Sequence, residues 1–443
     1  MLNELDTNAA SIEARTIQKM RIRILPFIFL LYIVAFLDRI NIGFAALTMN
    51  AALAITSAQF GLLTGIFFWG YFLFEIPSNL LMHKIGGRVW IARIMVSWGI
   101  VAVLTGFVHS APQLYAARFL LGVAEAGFFP GILLYLTYWF RQREQAQAVA
   151  LFIAAAPISG ILGAPVSGFI LDHAQWLAIS SWRWLLILEG LPAIVCGVLT
   201  YFLLPSRPAE ATFLTHDEKG WITEELAREE QEKTSEHSIS ALRALSHHRV
   251  WHLACTSFTF QIGVYAMYFW MPQAVRSLSS LYSNTLVGIL VMVPYIAGLL
   301  AMILVSRSSD RRLERRFHGA IPLVVGGIAL MLLGITTSPL LSITLWSFVA
   351  MGISSFNGPF WSLPNEFLAR ISAAPGIALI TSVGSLGGFV GPYALGWIRQ
   401  RTGSLYVGLA FAGASLFVSA TLMLLLPKKA RASAGLSNRR QGS

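Results

Sequence analysis

Pro26-Phe-Ile-Phe-Leu-Leu-Tyr-Ile-Val-Ala-Phe-Leu-Asp38-Arg39-Ile-Asn-Ile-Gly-Phe-Ala-Ala-Leu47 is the stretch that decides the fold. About 20 apolar residues are enough to cross roughly 30 Å of hydrocarbon. In lipid a backbone must satisfy its own hydrogen bonds, so this run is read as a helix. The alternating pattern of a membrane β-barrel is absent. An acid and a base at membrane depth are costly, which marks Asp38 and Arg39 as functional by default. Neighbours on a helix point about 100° apart, so one of the two can face a central cavity while the other faces the protein interior.

Outward from this stretch, comparable runs recur at about 58–82, 89–108, 113–139, 146–170, 183–204, 251–273, 284–305, 319–337, 341–363, 375–398 and 404–427. The chain of 443 residues is 56% hydrophobic and 12% charged, about half the charge of a soluble domain. The expected class is an all-α membrane protein of twelve transmembrane helices. Residues 1–23 are polar and mixed in charge, and the first run leads straight into a charged segment, so it reads as a retained span rather than a cleaved leader. Cys196 and Cys255 lie in or beside spans and offer neither a disulfide framework nor a zinc pattern. No nucleophile–base set or metal cluster suggests an enzyme, and no cofactor is expected.

The net charge of +11 reads as positive-inside loops rather than a nucleic-acid surface. Lys84, Arg88 and Arg93 follow span 2, Arg141 and Arg143 follow span 4, and Arg307, Arg311, Arg312, Arg315 and Arg316 follow span 8. The connections 48–57, 109–112 and 338–340 hold no Lys or Arg. Both termini are therefore expected in the cytoplasm. Residues 205–250 are the only long polar segment and divide the spans six and six. Thr215 and Glu218 form a capping-box pattern opening a surface helix. The organisation is a first bundle over 1–204, a linker over 205–250, a second bundle over 251–427 and a basic tail over 428–443. The tail suits anionic lipid head groups or is a plain flank of the last span. Spans 5 and 11 share a glycine-rich pattern, Gly160-x-x-Gly163-x-Pro165-x-x-Gly168 and Gly384-x-x-Gly387-Gly388-x-x-Gly391-Pro392. Internal six-span repeats of this kind build many secondary transporters.

Arg118 and Glu125 lie seven apart in span 4, two turns along one face, and Phe128 and Phe129 extend that face. A carboxylate between aromatic rings and a guanidinium is drawn toward both of its protonation states. Two readings stay open. In one, Asp38 and Glu125 carry protons while Arg39 and Arg118 bind an anion. In the other, the four charges form a structural ion-pair network. Tyr71 is a candidate hydroxyl donor; Glu75, on its face, is expected near the cytoplasmic end, paired with loop basics. Glu189 is expected to be structural. The second half offers neutral groups: Gln261, Tyr265 and Tyr268, then Ser354, Asn357 and Trp361, with Thr381 and Ser385 in span 11. These suit recognition of a substrate body, or plain interhelical bonding.

Phe36-Leu-Asp-Arg-Ile-Asn-Ile-Gly43, Phe74-Glu-Ile-Pro-Ser-Asn79 and Arg118-Phe-Leu-Leu-Gly-Val-Ala-Glu-Ala-Gly-Phe-Phe-Pro-Gly131 resemble the major facilitator superfamily over nearly the whole chain. More narrowly they resemble its anion:cation symporter family, which includes carriers of tartrate, phthalate and sugar acids. The resemblance implies two pseudo-symmetric six-helix bundles in a bacterial inner membrane. It also implies proton-coupled uptake of an organic anion by alternating access, by a monomer driven by the proton gradient. It assigns Asp38 and Glu125 to protons, and Arg39, Arg118 and Tyr71 to the substrate. It makes His83, Lys84, Arg88, Asp310 and Arg311 a gating-loop set, with His83 standing where the superfamily usually has Asp. Phe36 and the Ala154–Pro157 stretch replace a tyrosine and a glutamine of the sugar-acid carriers. A small dicarboxylate or aromatic acid is therefore expected rather than a polyhydroxy acid. The rivals are a proton-coupled exporter, since the span 5 glycine–proline pattern is similar to an antiporter motif, and a non-transporting sensor on the same scaffold.

Overall fold

The computed structural model describes residues 2–236, 246–368 and 373–426, and no strand occurs among them. The predicted tail 428–443 and residues 237–245 of the predicted linker lie outside the described residues. The helices are α1 (Leu2–Ala52), α2 (Ser57–Ile85), α3 (Gly87–Thr105), α4 (Ala111–Glu125), α5 (Phe128–Thr137), α6 (Gln142–His173) and α7 (Ser181–Leu203). They continue as α8 (His216–Glu236), α9 (His248–Arg276), α10 (Asn284–Arg312), α11 (Arg316–Leu332), α12 (Pro339–Leu368), α13 (Ala373–Thr402) and α14 (Leu405–Leu425). Eleven stretches among the described residues are long and apolar enough to cross a membrane. The remaining predicted span is α9, 29 residues long, which carries polar groups because it lines the interior.

Two elements differ from the sequence reading. The first helix starts well before the apolar run. Ile17, Met20 and Ile24 continue its buried stripe at spacings of three and four, and Lys19 Nζ lies 2.8 Å from Glu218 of α8. Burial works against the charge of Glu218, but Lys19 and the Thr215 N–H hold its carboxyl below the usual range. The capping box forms: Thr215 N donates to Glu218 Oε2 at 2.9 Å and Glu218 N to Thr215 Oγ1 at 3.4 Å. Arg141, bonded to Glu13, Glu144 and Glu225, joins α1, α6 and α8 at the same end.

The second difference is span 4, which breaks. Gly127 adopts φ 85 between α4 and α5, a left-handed conformation that glycine enters freely. Pro130 follows as the third residue of α5. Glu125 thus ends one helix, and Phe128 and Phe129 start another rather than extending one face.

Helix contacts repeat with a six-span offset. In the first half α3 packs on α7, α1 on α6, α2 on α4 and α1 on α7; in the second α11 packs on α14, α9 on α13, α10 on α12 and α9 on α14. Between the halves, α2 meets α13 and α6 meets α10, again one pairing seen twice. The last two interfaces are closest at the end holding the neutral connections. A Cβ on Gly168 would stand 2.3 Å from Asn284 O, and one on Gly288 would stand 2.2 Å from Ala164 O, so only glycine admits this approach.

Side chains close the same end in symmetric fashion. Asp172, at the end of α6, accepts from Asn284 N at 3.2 Å and Nδ2 at 2.8 Å, and from Thr285 N at 2.7 Å and Oγ1 at 2.6 Å. Gln400, at the end of α13, accepts from Ala58 N at 3.0 Å. Each side chain meets free N–H groups at the start of a helix in the other half. Asp172→Ala leaves several donors unmet at a half-exposed site, at about 1–2 kcal/mol. The expected result is a roughly tenfold shift toward forms open at this end. Spin labels at positions 54 and 280 should show a longer-distance population; an unchanged distance distribution would contradict this role.

Candidate functional site

A cavity of about 130 Å³ lies between the two halves. From α1 it is lined by Tyr32, Phe36 and Arg39, whose spacings of four and three residues place them on one helical face. Asp38, one residue away, turns into the first bundle. Its carboxylate accepts from the Trp98 indole N–H of α3 and from Asn41 Nδ2 at 3.0 Å. The sequence allowed this division between neighbours, and the structure shows which residue takes which side.

Arg39 forms an ion pair with Glu125, the last residue of α4. It also donates to Tyr265 Oη of the second half at 3.3 Å. Its guanidinium lies 5.3 Å from the Phe36 ring, 5.5 Å from Phe67 and 5.8 Å from Tyr71, within the range where a ring face attracts a cation. The guanidinium edges the cavity, whereas the acid that neutralises it sits behind, 2% exposed. Arg118 lies 5.2 Å from the same Phe67 ring, so one ring serves both cations. No acid lies within 4.0 Å of Arg118 among the described residues, and its Nε and Nη2 have no hydrogen-bond partner. Of the four charges, therefore, only Arg39 and Glu125 pair directly. A full ion-pair network is not what the side chains form.

The second half contributes Gln261 and Tyr265 from α9, Asn357 and Trp361 from α12, and Thr381 and Ser385 from α13. With Tyr71 from α2, these are predicted residues that the fold brings to one cavity. Two others stand away from it. Arg118 is behind Phe67, and Ser354 faces α10, where a Cβ on Gly298 would be 2.7 Å from its Oγ. Among the gating-loop residues, His83 Nδ1 meets Tyr138 Oη at 2.9 Å, and Arg88 bonds Leu204 O at 3.0 Å and Glu210 at 3.1 Å. Asp310 pairs with Arg315 at 2.5 Å, and Lys84 and Arg311 are exposed.

Glu75 requires a correction. It is not paired with loop basics; it lines the cavity and accepts from Ser382 Oγ of α13 at 2.9 Å. Because α2 runs on to Ile85, Glu75 lies about 15 Å from its end. Its spacing from Tyr71 announced the shared face, but the overlong helix disguised the depth. Tyr268, which the sequence offers with Tyr265, lines the cavity as well, and so does Tyr32, whose place in an apolar helix looks like packing in the sequence. Glu189 is bonded by Ser167 Oγ at 2.7 Å, inside the first bundle. The cavity thus presents one edge guanidinium, hydroxyls and amides on aromatic walls, and one carboxylate. Such a set suits a small polar anion.

A family model described as Major Facilitator Superfamily matches residues 28–392. A protein of Agrobacterium vitis named "Putative tartrate transporter" is 45% identical over 432 residues, covering 96% of this chain and 98% of that protein. A Pseudomonas putida protein named "Putative metabolite transport protein NicT" is 38% identical, covering 92% of this chain and 93% of that protein. The solved partially occluded, inward-open form of the xylose transporter XylE from Escherichia coli superposes with a TM-score of 0.73. It is 15% identical, over 92% of this chain and 98% of that one. With the family match spanning both bundles and a relative this similar from end to end, the chain belongs to the major facilitator superfamily, whose twelve-helix transporter fold it adopts.

Proposed function

We propose that this carrier of organic acids is a proton-coupled symporter that takes up a small carboxylate by alternating access. The observation that carries the reading is the Arg39–Glu125 pair. Its cation edges the cavity and its anion does not. Protonating Glu125 frees the guanidinium for a substrate carboxylate, held by charge-assisted bonds. Protonating Asp38 removes the counter-charge of Arg118, whose unmet N–H groups lie behind Phe67, and the added positive charge favours an anion in the cavity. Proton release then restores the internal pair and expels the anion. Protons and the acid are the partners, with lipid as the setting; the proton gradient replaces any cofactor, and one chain suffices.

The basic connections support cytoplasmic termini, with the chain in a bacterial inner membrane. The glycine-packed end then faces outward and is closed, and the Phe129–Trp361 contact, with ring centroids 6.3 Å apart, joins the two halves at the cavity. Phe36, Ile153 and Ala156 form an apolar wall. The cavity volume, about 130 Å³, is small. Both features favour a small dicarboxylate or aromatic acid over a polyhydroxy acid, and the relative named for tartrate points the same way.

Proteoliposomes with an imposed gradient test this. Labelled succinate, tartrate and benzoate are offered with the outside acidic and then with the outside alkaline. At least one should accumulate when the outside is acidic, and gluconate should not. Accumulation of gluconate alone would overturn the substrate class. Acid efflux driven by a proton moving the other way would replace uptake with export.

A further inference from the structure

We propose that Glu75 is a specificity-determining residue that reads a hydroxyl group on the transported acid. The assignment rests on the acid-carrier reading above. Glu75 lines the cavity, is 3% exposed, and has no cation within 4.0 Å among the described residues. Ser382 Oγ satisfies Oε2 at 2.9 Å across the two halves. The residue stands one turn, about 6 Å, beyond Tyr71, and the Arg39 guanidinium lies 5.8 Å from the Tyr71 ring. A cavity edged by a guanidinium therefore also holds an acid at a distance comparable to the length of a small molecule.

That combination discriminates among acids whose carboxylate is held by Arg39. A second carboxylate meets like charge only when turned toward an ionised Glu75, so a diacid must turn it elsewhere. An apolar end leaves a buried acceptor without the donor it has in water. A hydroxyl donates to it and meets neither objection. Sites built to bond a hydroxyl reject analogues that lack it far more strongly than apolar pockets reject an added one. The apolar wall of Phe36, Ile153 and Ala156, from α1 and α6, limits how many hydroxyls are met. The class selected is a small acid bearing one or two hydroxyls near one end.

The rival role for Glu75 is a tether between the halves, through Ser382. The full-length protein in detergent is titrated with two matched pairs, succinate against L-malate and benzoate against 3-hydroxybenzoate. In the wild type at least one hydroxylated member should bind about tenfold tighter than its partner. Glu75→Met should bring that ratio near one, because the hydroxyl-free acid no longer faces an unmet or like-charged acceptor. Glu75→Gln, which keeps one acceptor oxygen and the volume, should give an intermediate ratio and serves if the Met variant does not fold. Ser382→Ala weakens the tether, leaving Thr381 beside Glu75 and the acceptor itself in place, and should keep the ratio. A ratio near one for both pairs in the wild type overturns the assignment. So does a tenfold ratio that survives in Glu75→Met, or a ratio lost equally in Ser382→Ala. If none of the four acids binds the wild type, the acid-carrier reading itself falls, and the assignment with it.

Discussion

Glu125→Gln is expected to abolish accumulation of the acid against its gradient while leaving exchange of the acid across the membrane intact. Gln is close in size and cannot take up or release a proton, so it holds the site in the neutral state that protonation produces. Arg39 then loses its internal partner, and a buried cation left unpaired is costly. A substrate carboxylate supplies the missing charge, so binding should persist or tighten. In the wild type, binding an anion at Arg39 requires Glu125 to be neutral, so binding takes up a proton. Affinity should rise as pH falls, and in Glu125→Gln this slope should flatten. The expected magnitudes are a loss of at least about tenfold in gradient-driven accumulation, with counterflow within about threefold of wild type. A variant that still concentrates substrate would remove Glu125 from the coupling step.

Most of this arrangement was legible before any coordinates, because hydrophobic length and charge spacing are local properties. The spans, the six-and-six division and the opposite facing of Asp38 and Arg39 follow from the bilayer thickness and the helical repeat. Three features were not legible, each for a reason outside local pattern. Span 4 breaks at Gly127, and an isolated glycine reads equally as packing or as a left-handed residue. Ser354 lies on a helix that lines the cavity and Arg118 on a span that reaches it only at Phe129, beyond the break; their directions depend on helix rotation, which neighbours such as Gly298 and Phe67 fix. Glu75 was misplaced in depth because α2 continues well past the apolar core into the basic end. These are tertiary facts. The sequence lists the polar groups at membrane depth, and packing decides which of them share a surface.

Arg39→Ala should lower affinity for the carboxylate by at least about a hundredfold, since charge-assisted and bidentate bonds are the strongest single contacts such a site offers. The direct comparison is confounded by stability. Arg39 is 12% exposed at its side chain and its partner Glu125 is 3% exposed, so removing the guanidinium strands a buried acid at about 3–5 kcal/mol. The double variant Arg39→Ala/Glu125→Gln separates the two effects. With no charge left to strand, it should recover most of the thermal stability lost in Arg39→Ala, yet its affinity for the acid should stay low. Arg39→Lys should fall between, because an ammonium keeps the charge but not the planar fork. If the double variant instead regained binding with stability, the cation would have been structural. The anion would then be held by the neutral donors of the second half, Gln261, Asn357 and the Tyr265 hydroxyl. The placement of Tyr265 argues against that outcome. Its hydroxyl already accepts from Arg39 at 3.3 Å, so an anion arriving there meets the guanidinium as well, and the two halves close on the substrate through the same cation.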